Sequence, residues 1–278
     1  MSGGLSASWS WRGLAINLLM WVVAGVALFP LLWMVLVSLM PAGAASTAPP
    51  PLWPETPTLD HYRQLLERGQ MGRRFLNSLG LAVVATLIST TLNTLAGYAF
   101  CKLRFAGRDK LFQALMAALV IPGQVAMLPL FLMLKHLGWV NSYLGVLVPS
   151  LAGIFGIFLV RQYARSLPDE LIEAARMDGA GEWRIFWVIV LPLLKPVLVT
   201  LAVFAFLGSW NDFMWPLIVL TDGDLQTLPV ALASLSREHV QDTELMMAGA
   251  VITVLPVLLL FLVLQRHYMQ GLTMGSVK

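Results

Sequence analysis

Asp212 is the residue whose chemistry fits its surroundings least, because it lies within a long apolar run directly after Trp210 and Asn211. An ionised carboxylate at the centre of a membrane-spanning helix costs about 2.5–3.5 kcal/mol on insertion scales, so such a residue is usually functional or paired. Trp210, Asn211 and Asp212 are therefore candidates to line a polar pathway for a substrate. Alternatively, Asp212 satisfies a neighbouring helix, and Trp210 and Trp215 belong to an interfacial aromatic belt.

The chain carries no motif for nucleotide or covalent chemistry. It has no G-x-x-x-x-G-K-[ST], H-E-x-x-H or G-x-S-x-G sequence, and so predicts no phosphate-binding loop, zinc-protease site or nucleophile elbow. Its one cysteine, Cys101, excludes an internal disulfide and a multi-cysteine metal site. We therefore expect a chain that is not an enzyme and that binds no metal or cofactor itself.

The segment from 164 to 192 is too regularly patterned for a simple connector. Ser166, Pro168 and Asp169 have the residue types that begin a helix, with Ser166 as the expected N-cap. Residues 170–177 then have a helical pattern, since apolar residues recur at spacings of three and four. The sequence predicts a short helix here.

This predicted helix is amphipathic, with Leu171, Ile172 and Ala175 on one side. Gly179 follows at the position where a left-handed residue commonly ends a helix. Four apolar residues then begin a second amphipathic segment: Trp183, Phe186, Trp187 and Val190. A helix, glycine turn and helix of this kind suits docking into a groove on another protein, or alternatively lies on the lipid surface.

The composition is that of a membrane protein. Hydrophobic residues make up 58% and charged residues 12% of the 278 residues, and the mean hydropathy is +0.76. About 20 apolar helical residues cross a bilayer, and six runs satisfy that requirement. The sequence predicts an all-α integral membrane protein with one transmembrane domain over 1–278 and spans at 14–40, 76–100, 111–134, 143–162, 197–220 and 245–265.

The basic residues predict the orientation of these spans. With both termini inside, twelve of the 18 Lys and Arg residues lie on the inner side, as the positive-inside rule favours. The bias is incomplete, because four basic residues lie in the first outer loop: Arg63, Arg68, Arg73 and Arg74. The basic residues form no stripe or tail, so no nucleic-acid partner is expected.

One spaced motif resembles that of a known family. Glu173-Ala174-Ala175 is followed after three residues by Gly179, after nine more by Ile189, and after one more by Leu191-Pro192. This pattern matches the EAA motif, and the chain resembles permease subunits of binding-protein-dependent ATP-binding-cassette importers. It is similar to the smaller maltose-importer permease in further places: Asn77-Ser78, Pro168-Asp169-Glu170-Leu171, Ala180, Trp210-Asn211-Asp212-Phe213, Trp215-Pro216-Leu217 and Gln270-Gly271-Leu272-Thr273.

The resemblance implies a type I importer permease fold with six helices, in which the loop at 164–192 couples the chain to an ATPase. The residues that carry this coupling would be those of the motif: Glu173, Ala174, Ala175, Asp178, Gly179, Ile189, Leu191 and Pro192. The implied partners are a second homologous permease, an ATPase dimer that holds ATP and Mg²⁺, an extracytoplasmic substrate-binding protein and the lipid bilayer.

The implied function is to form half of a transmembrane pathway for a sugar or oligosaccharide in a bacterial inner membrane. Relatives with this pattern also handle glycerol-phosphate compounds, which stay an alternative cargo. A secondary transporter is the alternative class, and it often shows inverted repeats and intramembrane charges. We detect no internal repeat, and Asp212 is the one acid within the predicted spans.

Overall fold

A computed structural model describes residues 11–67, 70–238 and 242–274 of the chain. Within those ranges every regular element is a helix, which confirms the expected all-α class. The chain divides into two compact units, one of residues 1–69 and 235–254 and the other of residues 70–234 and 255–278.

The first unit contains the long helix α1 (Trp11–Ser38), a 3₁₀ turn (Ala44–Ser46) and the helix α2 (Asp60–Glu67). Side-chain bonds hold the segment after α1 in place. His61 Nε2 lies 2.9 Å from the carbonyl oxygen of Met40, and the hydroxyls of Ser38 and Tyr62 lie 2.7 Å apart. A helix therefore forms between the first two predicted spans, after the proline-rich stretch.

The second unit holds the helices that position the candidate residues. Its elements, in chain order, are α3 (Met71–Lys102), α4 (Arg108–Ala118), α5 (Gly123–His136), α6 (Tyr143–Leu147), a 3₁₀ turn (Val148–Ser150), α7 (Ile154–Ala164), α8 (Asp169–Met177), α9 (Glu182–Ile185), a π-helical turn (Phe186–Val190), α10 (Leu191–Leu193), α11 (Lys195–Trp210) and α12 (Met214–Val219). The unit boundaries at 234/235 and 254/255 fall within α13 (Leu228–Glu238) and α14 (Thr243–Met274).

The core of the second unit forms where α3 packs along α7 and α11. One close approach is at Gly97, where an added Cβ would lie 2.7 Å from Val160 Cβ and 3.0 Å from the Arg161 amide nitrogen. Such a distance leaves no room for a methyl group, so glycine at this position permits the two helices to touch. The result is a tightly packed helix pair beside the EAA segment.

The described residues contain four helical segments long and apolar enough to cross a membrane: Gly13–Ser38, Met71–Lys102, Tyr143–Ala164 and Thr243–Leu264. Two bent pairs bring the number to six if each pair counts as one span. Arg108–Ala118 and Gly123–His136 meet at 102°, while Glu182–Leu193 and Lys195–Trp210 meet at 81°. The predicted span 111–134 is therefore not one straight helix.

The predicted span 197–220 is also interrupted, because α11 ends at Trp210 and α12 begins at Met214. Asn211 Nδ2 donates to the Leu207 carbonyl at 3.0 Å, and the Asp212 carboxylate accepts the Trp215 N–H at 3.4 Å. Short polar side chains that bond to nearby backbone compete with the helical hydrogen bonds, which explains the break. The candidate residues therefore lie at the end of α11 and in the turn that follows it. The prediction that they lie in the middle of a straight helix was wrong.

Candidate functional site

Ser166 does not cap α8, contrary to the sequence prediction. Its hydroxyl donates to the Tyr163 carbonyl at 2.7 Å, and its N–H bonds to the same carbonyl at 3.0 Å. Ser166 belongs to the turn that ends α7, and its hydroxyl and N–H form their hydrogen bonds there. Pro168 occupies the cap position of α8, with extended backbone and no side-chain acceptor.

Lys102 fastens the start of α8 to the end of α3. Its Nζ lies 2.5 Å from Asp169 Oδ1 and donates to the Leu167 carbonyl at 2.6 Å. The bond from Lys102 holds the pKa of Asp169 below its usual range. The Lys102 side chain is nearly buried while that of Asp169 is largely exposed, so the ion pair forms at the edge of the packed core.

Gly179 ends α8 in the left-handed conformation that the sequence predicted, with φ of +77°. The Ala180 N–H donates to the Ala175 carbonyl at 2.9 Å, and the Gly179 N–H donates to the Arg176 carbonyl at 3.0 Å. This bond pair defines a Schellman motif, which satisfies carbonyl groups left open at the helix end. The turn thus fixes the angle at which the chain leaves α8.

The two faces of α8 differ from the predicted ones at Leu171. Ile172 and Ala175 are buried as expected, but Leu171 is 46% exposed and Met177 is 88% exposed. Glu173 and Ala174 are exposed on this outer face too. Glu173 and Met177 lie one turn apart on this outer face, whereas Leu171, about 120° from Met177 around the helix, lies at its edge. Sequence reasoning had assigned Leu171 to the inner side.

Glu182 is a residue of this site that sequence reasoning missed. Its carboxylate accepts a bond from Arg176 Nε at 2.7 Å and another from the Tyr98 hydroxyl at 3.3 Å. These bonds join the two helices on either side of the Gly179 turn and connect both to α3. An acid six residues after an arginine, with a glycine turn between them, was the signal available in the sequence.

The second half of the motif packs into the core. Ile189 lies in the π-helical turn and, with Leu191, packs against a buried cluster drawn from α3, α7, α8, α9 and α11. Pro192 lies in the next helical turn and is exposed. Phe186 and Val190 are buried as predicted, together with Ile185, whereas Trp183 is 67% and Trp187 51% exposed.

Ala164, Ile172, Ala175, Ile185 and Val190 all belong to this one buried cluster. It joins α8 and the segment after Gly179 to the cytoplasmic-side ends predicted for two spans. A short helix held by such packing moves with the helices beneath it, because close-packed interiors transmit displacement. The EAA segment is therefore mechanically connected to the membrane helices, as a coupling element requires.

The three consecutive candidates of the fifth span point to different surroundings. Trp210 is fully buried, with its ring 5.6 Å from that of Phe75 and 5.8 Å from that of Phe206. Asn211 is exposed, and its amide bonds to the backbone of its own helix. Asp212 lines a cavity. Of the three, only Asp212 is among the described residues that line this space.

Trp210 and Trp215 do not form an interfacial belt, since Trp215 is also buried. Its Nε1 donates to the Gly145 carbonyl at 3.0 Å and so fixes α12 against α6. Asn77 Nδ2 donates to the carbonyls of Asp224 and Gln226 in a similar structural role. Trp215 and Asn77, two of the residues on which the family resemblance depends, therefore hold the loops around the cavity in place.

The cavity has a volume of about 240 Å³ and is formed by residues of α3, the 143–156 segment, α11 and α12. Its polar lining includes Asp212, Asn93, Ser89, Ser150 and Thr227. Asn93 and Ser89 lie one turn apart in α3, where Asn93 Nδ2 donates to Ser89 Oγ at 3.0 Å. Sequence reasoning missed both, although an amide within an apolar span is itself a signal of function.

Comparison with known proteins identifies the family to which this architecture belongs. Residues 94–273 match the family described as "Binding-protein-dependent transport system inner membrane component". This match covers the EAA segment, the cavity residues of α11 and α12, and most of α14. The chain is a member of this family. As in other members, the chain is a membrane permease subunit of a transport system, and the family resemblance seen in the EAA motif is confirmed.

Curated relatives of this permease span almost its whole length. The arabinooligosaccharides transport system permease protein AraQ of Halalkalibacterium halodurans is 38% identical over 259 residues, which are 92% of this chain and 93% of that protein. The lactose transport system permease protein LacG of Rhizobium radiobacter is 31% identical over 261 residues, or 92% of this chain and 93% of that one.

A solved structure shows the fold of this permease. A chain of a bacterial ABC transporter involved in the import of the acidic polysaccharide alginate superposes with a TM-score of 0.81 at 23% identity, covering 95% of this chain and 99% of that one. The importer permease fold expected from the resemblance is therefore confirmed. The count of six spans stays a prediction, because two of the spans require bent helix pairs.

Proposed function

We propose that this permease carries a sugar or oligosaccharide across a bacterial inner membrane as one half of an ATP-driven importer. The family match and the sugar-transport functions of the relatives AraQ and LacG support this cargo class. A second homologous permease forms the other half of the pathway, and an extracytoplasmic binding protein delivers the substrate. Both termini lie in the cytoplasm.

The observation that carries the coupling role is the exposed face of α8 on a firmly packed base. Met177 is 88% exposed with Glu173 one turn before it, and Leu171 is 46% exposed. Exposed apolar side chains with an acidic neighbour suit a groove that offers both apolar and basic groups. That groove belongs to the partner ATPase, which binds ATP and Mg²⁺ and carries out hydrolysis in place of this non-catalytic chain.

Movement of the ATPase halves then displaces α8. Because the Gly179 turn and the Arg176–Glu182 bond fix α8 relative to the following segment, the displacement reaches α11 and α3. The permease alternates between inward-facing and outward-facing states, and ATP binding shifts the population between them. Asp212, in the cavity between α3 and α11, lines the pathway that opens on either side.

Charge reversal at Glu173 tests this assignment. In Glu173→Lys we expect ATPase affinity to fall about thirtyfold or more, since replacing attraction with repulsion across an interface costs about 2 kcal/mol or more. Glu170→Lys is the matched control, because Glu170 is an exposed acid on the same helix, one turn before Glu173. ATPase binding is measured on purified permease pairs in nanodiscs. Unchanged affinity in Glu173→Lys, with normal membrane insertion, would contradict the docking role.

A further inference from the structure

The cavity beside Asp212 is lined by two buried polar atoms that have no hydrogen-bond partner. Asn93 is 2% exposed and its Oδ1 has no partner, while its Nδ2 donates to Ser89 Oγ. Thr227 is 3% exposed and its Oγ1 also lacks a partner. Buried polar atoms are almost always paired, so two unpaired atoms in residues that line one cavity indicate a site that a polar ligand completes.

Asp212 adds a carboxylate to the same cavity without a balancing cation. Its Oδ1 accepts one long bond, at 3.4 Å, from the Trp215 N–H, and none of the ion pairs among the described residues involves it. The described residues that line the cavity include no Lys, Arg or His. An ionised carboxylate accepts hydrogen bonds and donates none, so Asp212 gives the cavity an acceptor that carries an uncompensated negative charge.

The remaining walls are apolar. Phe155 and Phe204 lie edge to face with ring centroids 6.0 Å apart, and Leu81, Leu147 and Leu201 complete the surface. The volume of about 240 Å³ is smaller than the roughly 300–1,000 Å³ of sites for drug-sized ligands. A single sugar ring fits this combination, since it has an apolar face and a rim of hydroxyl groups that donate.

We propose that this cavity binds one uncharged sugar ring and excludes saccharides that carry carboxylate or phosphate groups. Hydroxyl groups of the ring donate to Asp212 and to Asn93 Oδ1, whereas an anionic group brings only acceptors and a like charge. This inference rests on the proposed function and narrows its cargo class. It disfavours the glycerol-phosphate alternative.

The charge of the cavity can be measured with paired thiol reagents. Ser150→Cys places a reporter on the cavity wall, in a Cys101→Ala background that removes the native cysteine. The reconstituted importer is treated with a trimethylammonium-ethyl thiosulfonate or a sulfonatoethyl thiosulfonate, and labelling of this chain is followed by mass spectrometry. The labelling rate with the cationic reagent is divided by the rate with the anionic reagent. This ratio, relative to the same ratio for a small free thiol, reports the local electrostatic potential.

Asp212→Asn should lower this ratio about tenfold, as expected when a unit charge at short range acts on probes of opposite sign. Asparagine retains the side-chain acceptor for Trp215, so the turn is preserved. Asp222→Asn is the matched control, because Asp222 Oδ1 accepts the Asp224 N–H at 2.9 Å in an exposed loop outside the cavity. A ratio that does not change in Asp212→Asn, or a reporter that never reacts in any nucleotide state, overturns the proposal.

Protection by sugars identifies the ligand class. Millimolar arabinose, galactose or glucose should slow labelling of Ser150→Cys, while galacturonate and glucuronate should not slow it unless Asp212→Asn is present. Equal protection by the uronates, or protection by none of the five sugars, refutes the inference. ATP-driven uptake of saccharides by the same complex is measured in parallel. If uptake persists while these tests fail, the proposed function stands and the cavity assignment alone is wrong.

Discussion

The Gly179 turn allows the coupling hypothesis to be tested by a substitution whose cost is conformational alone. A Cβ added at Gly179 meets no atom within 4 Å, so a larger side chain causes no clash. The backbone φ of +77° is nevertheless a left-handed conformation that β-branched residues adopt poorly. Gly179→Val therefore disfavours the turn without disturbing the packing around it.

The expected magnitude follows from this geometry. The left-handed conformation costs an L-residue about 1–2 kcal/mol, and valine lies at the upper end. A cost of about 2 kcal/mol reduces the population of the native turn about thirtyfold relative to alternatives. Gly181 provides the matched control, since it also has no atom within 4 Å of an added Cβ, but its φ of −71° and ψ of 158° are extended backbone that valine favours.

The assay is the number of sugar molecules taken up per ATP hydrolysed in proteoliposomes, with the amount of assembled complex measured on the same samples. We expect Gly179→Val to lower this ratio severalfold and Gly181→Val to leave it unchanged. Gly179→Asn should lie between them, because asparagine tolerates the left-handed region better than other non-glycine residues. Equal ratios for Gly179→Val and Gly181→Val, in complexes assembled equally, would refute the role of the turn in coupling.

Two further predictions concern packing and topology. Gly97→Ala should destabilise the permease by about 1–3 kcal/mol, because the added methyl group overlaps Val160. Gly80→Ala in the same helix is the control: its methyl group meets no atom within 4 Å, so it should stabilise the permease by about 0.5–1 kcal/mol. Thermal unfolding of the purified complex in detergent distinguishes the two variants, and equal melting temperatures would contradict the close packing at Gly97. A reporter active only outside the cytoplasm should be active at the outer fusion points and silent at the inner ones, and the reverse pattern would overturn the orientation. The outer points are Thr58, Asn141 and Asp224, and the inner ones are Gly107, Gly179 and Ser276, the last of which lies outside the described residues.

The sequence was sufficient for features that depend on local pattern. The apolar runs predicted a helical membrane protein, since a single long apolar run satisfies its own backbone hydrogen bonds in lipid when it is a helix. The spacing from Glu173 to Pro192 predicted the family, which the match over residues 94–273 confirms. Gly179 was predicted to be left-handed, because a glycine just past an amphipathic helix commonly is, and its φ of +77° confirms this.

Features that depend on contacts distant in sequence required the tertiary structure. Leu171 is exposed because the bond from Lys102 to Asp169 and the packing of Ile172 set the rotation of α8 on the core. Helical periodicity gives the angle between side chains but does not fix which part of an apolar stripe faces inward. The same limit explains why Trp183 and Trp187 are exposed while Ile185 is buried.

The candidates for the substrate pathway illustrate both what the sequence predicts and what only tertiary packing decides. Sequence alone singled out Asp212, because a carboxylate in an apolar run is costly wherever it lies. It did not predict that the helix breaks there, nor that Asn93, from a helix more than a hundred residues earlier, lines the same cavity. Charge and composition are properties of single positions, whereas a cavity exists only where separate helices leave space between them, and that space is decided by packing.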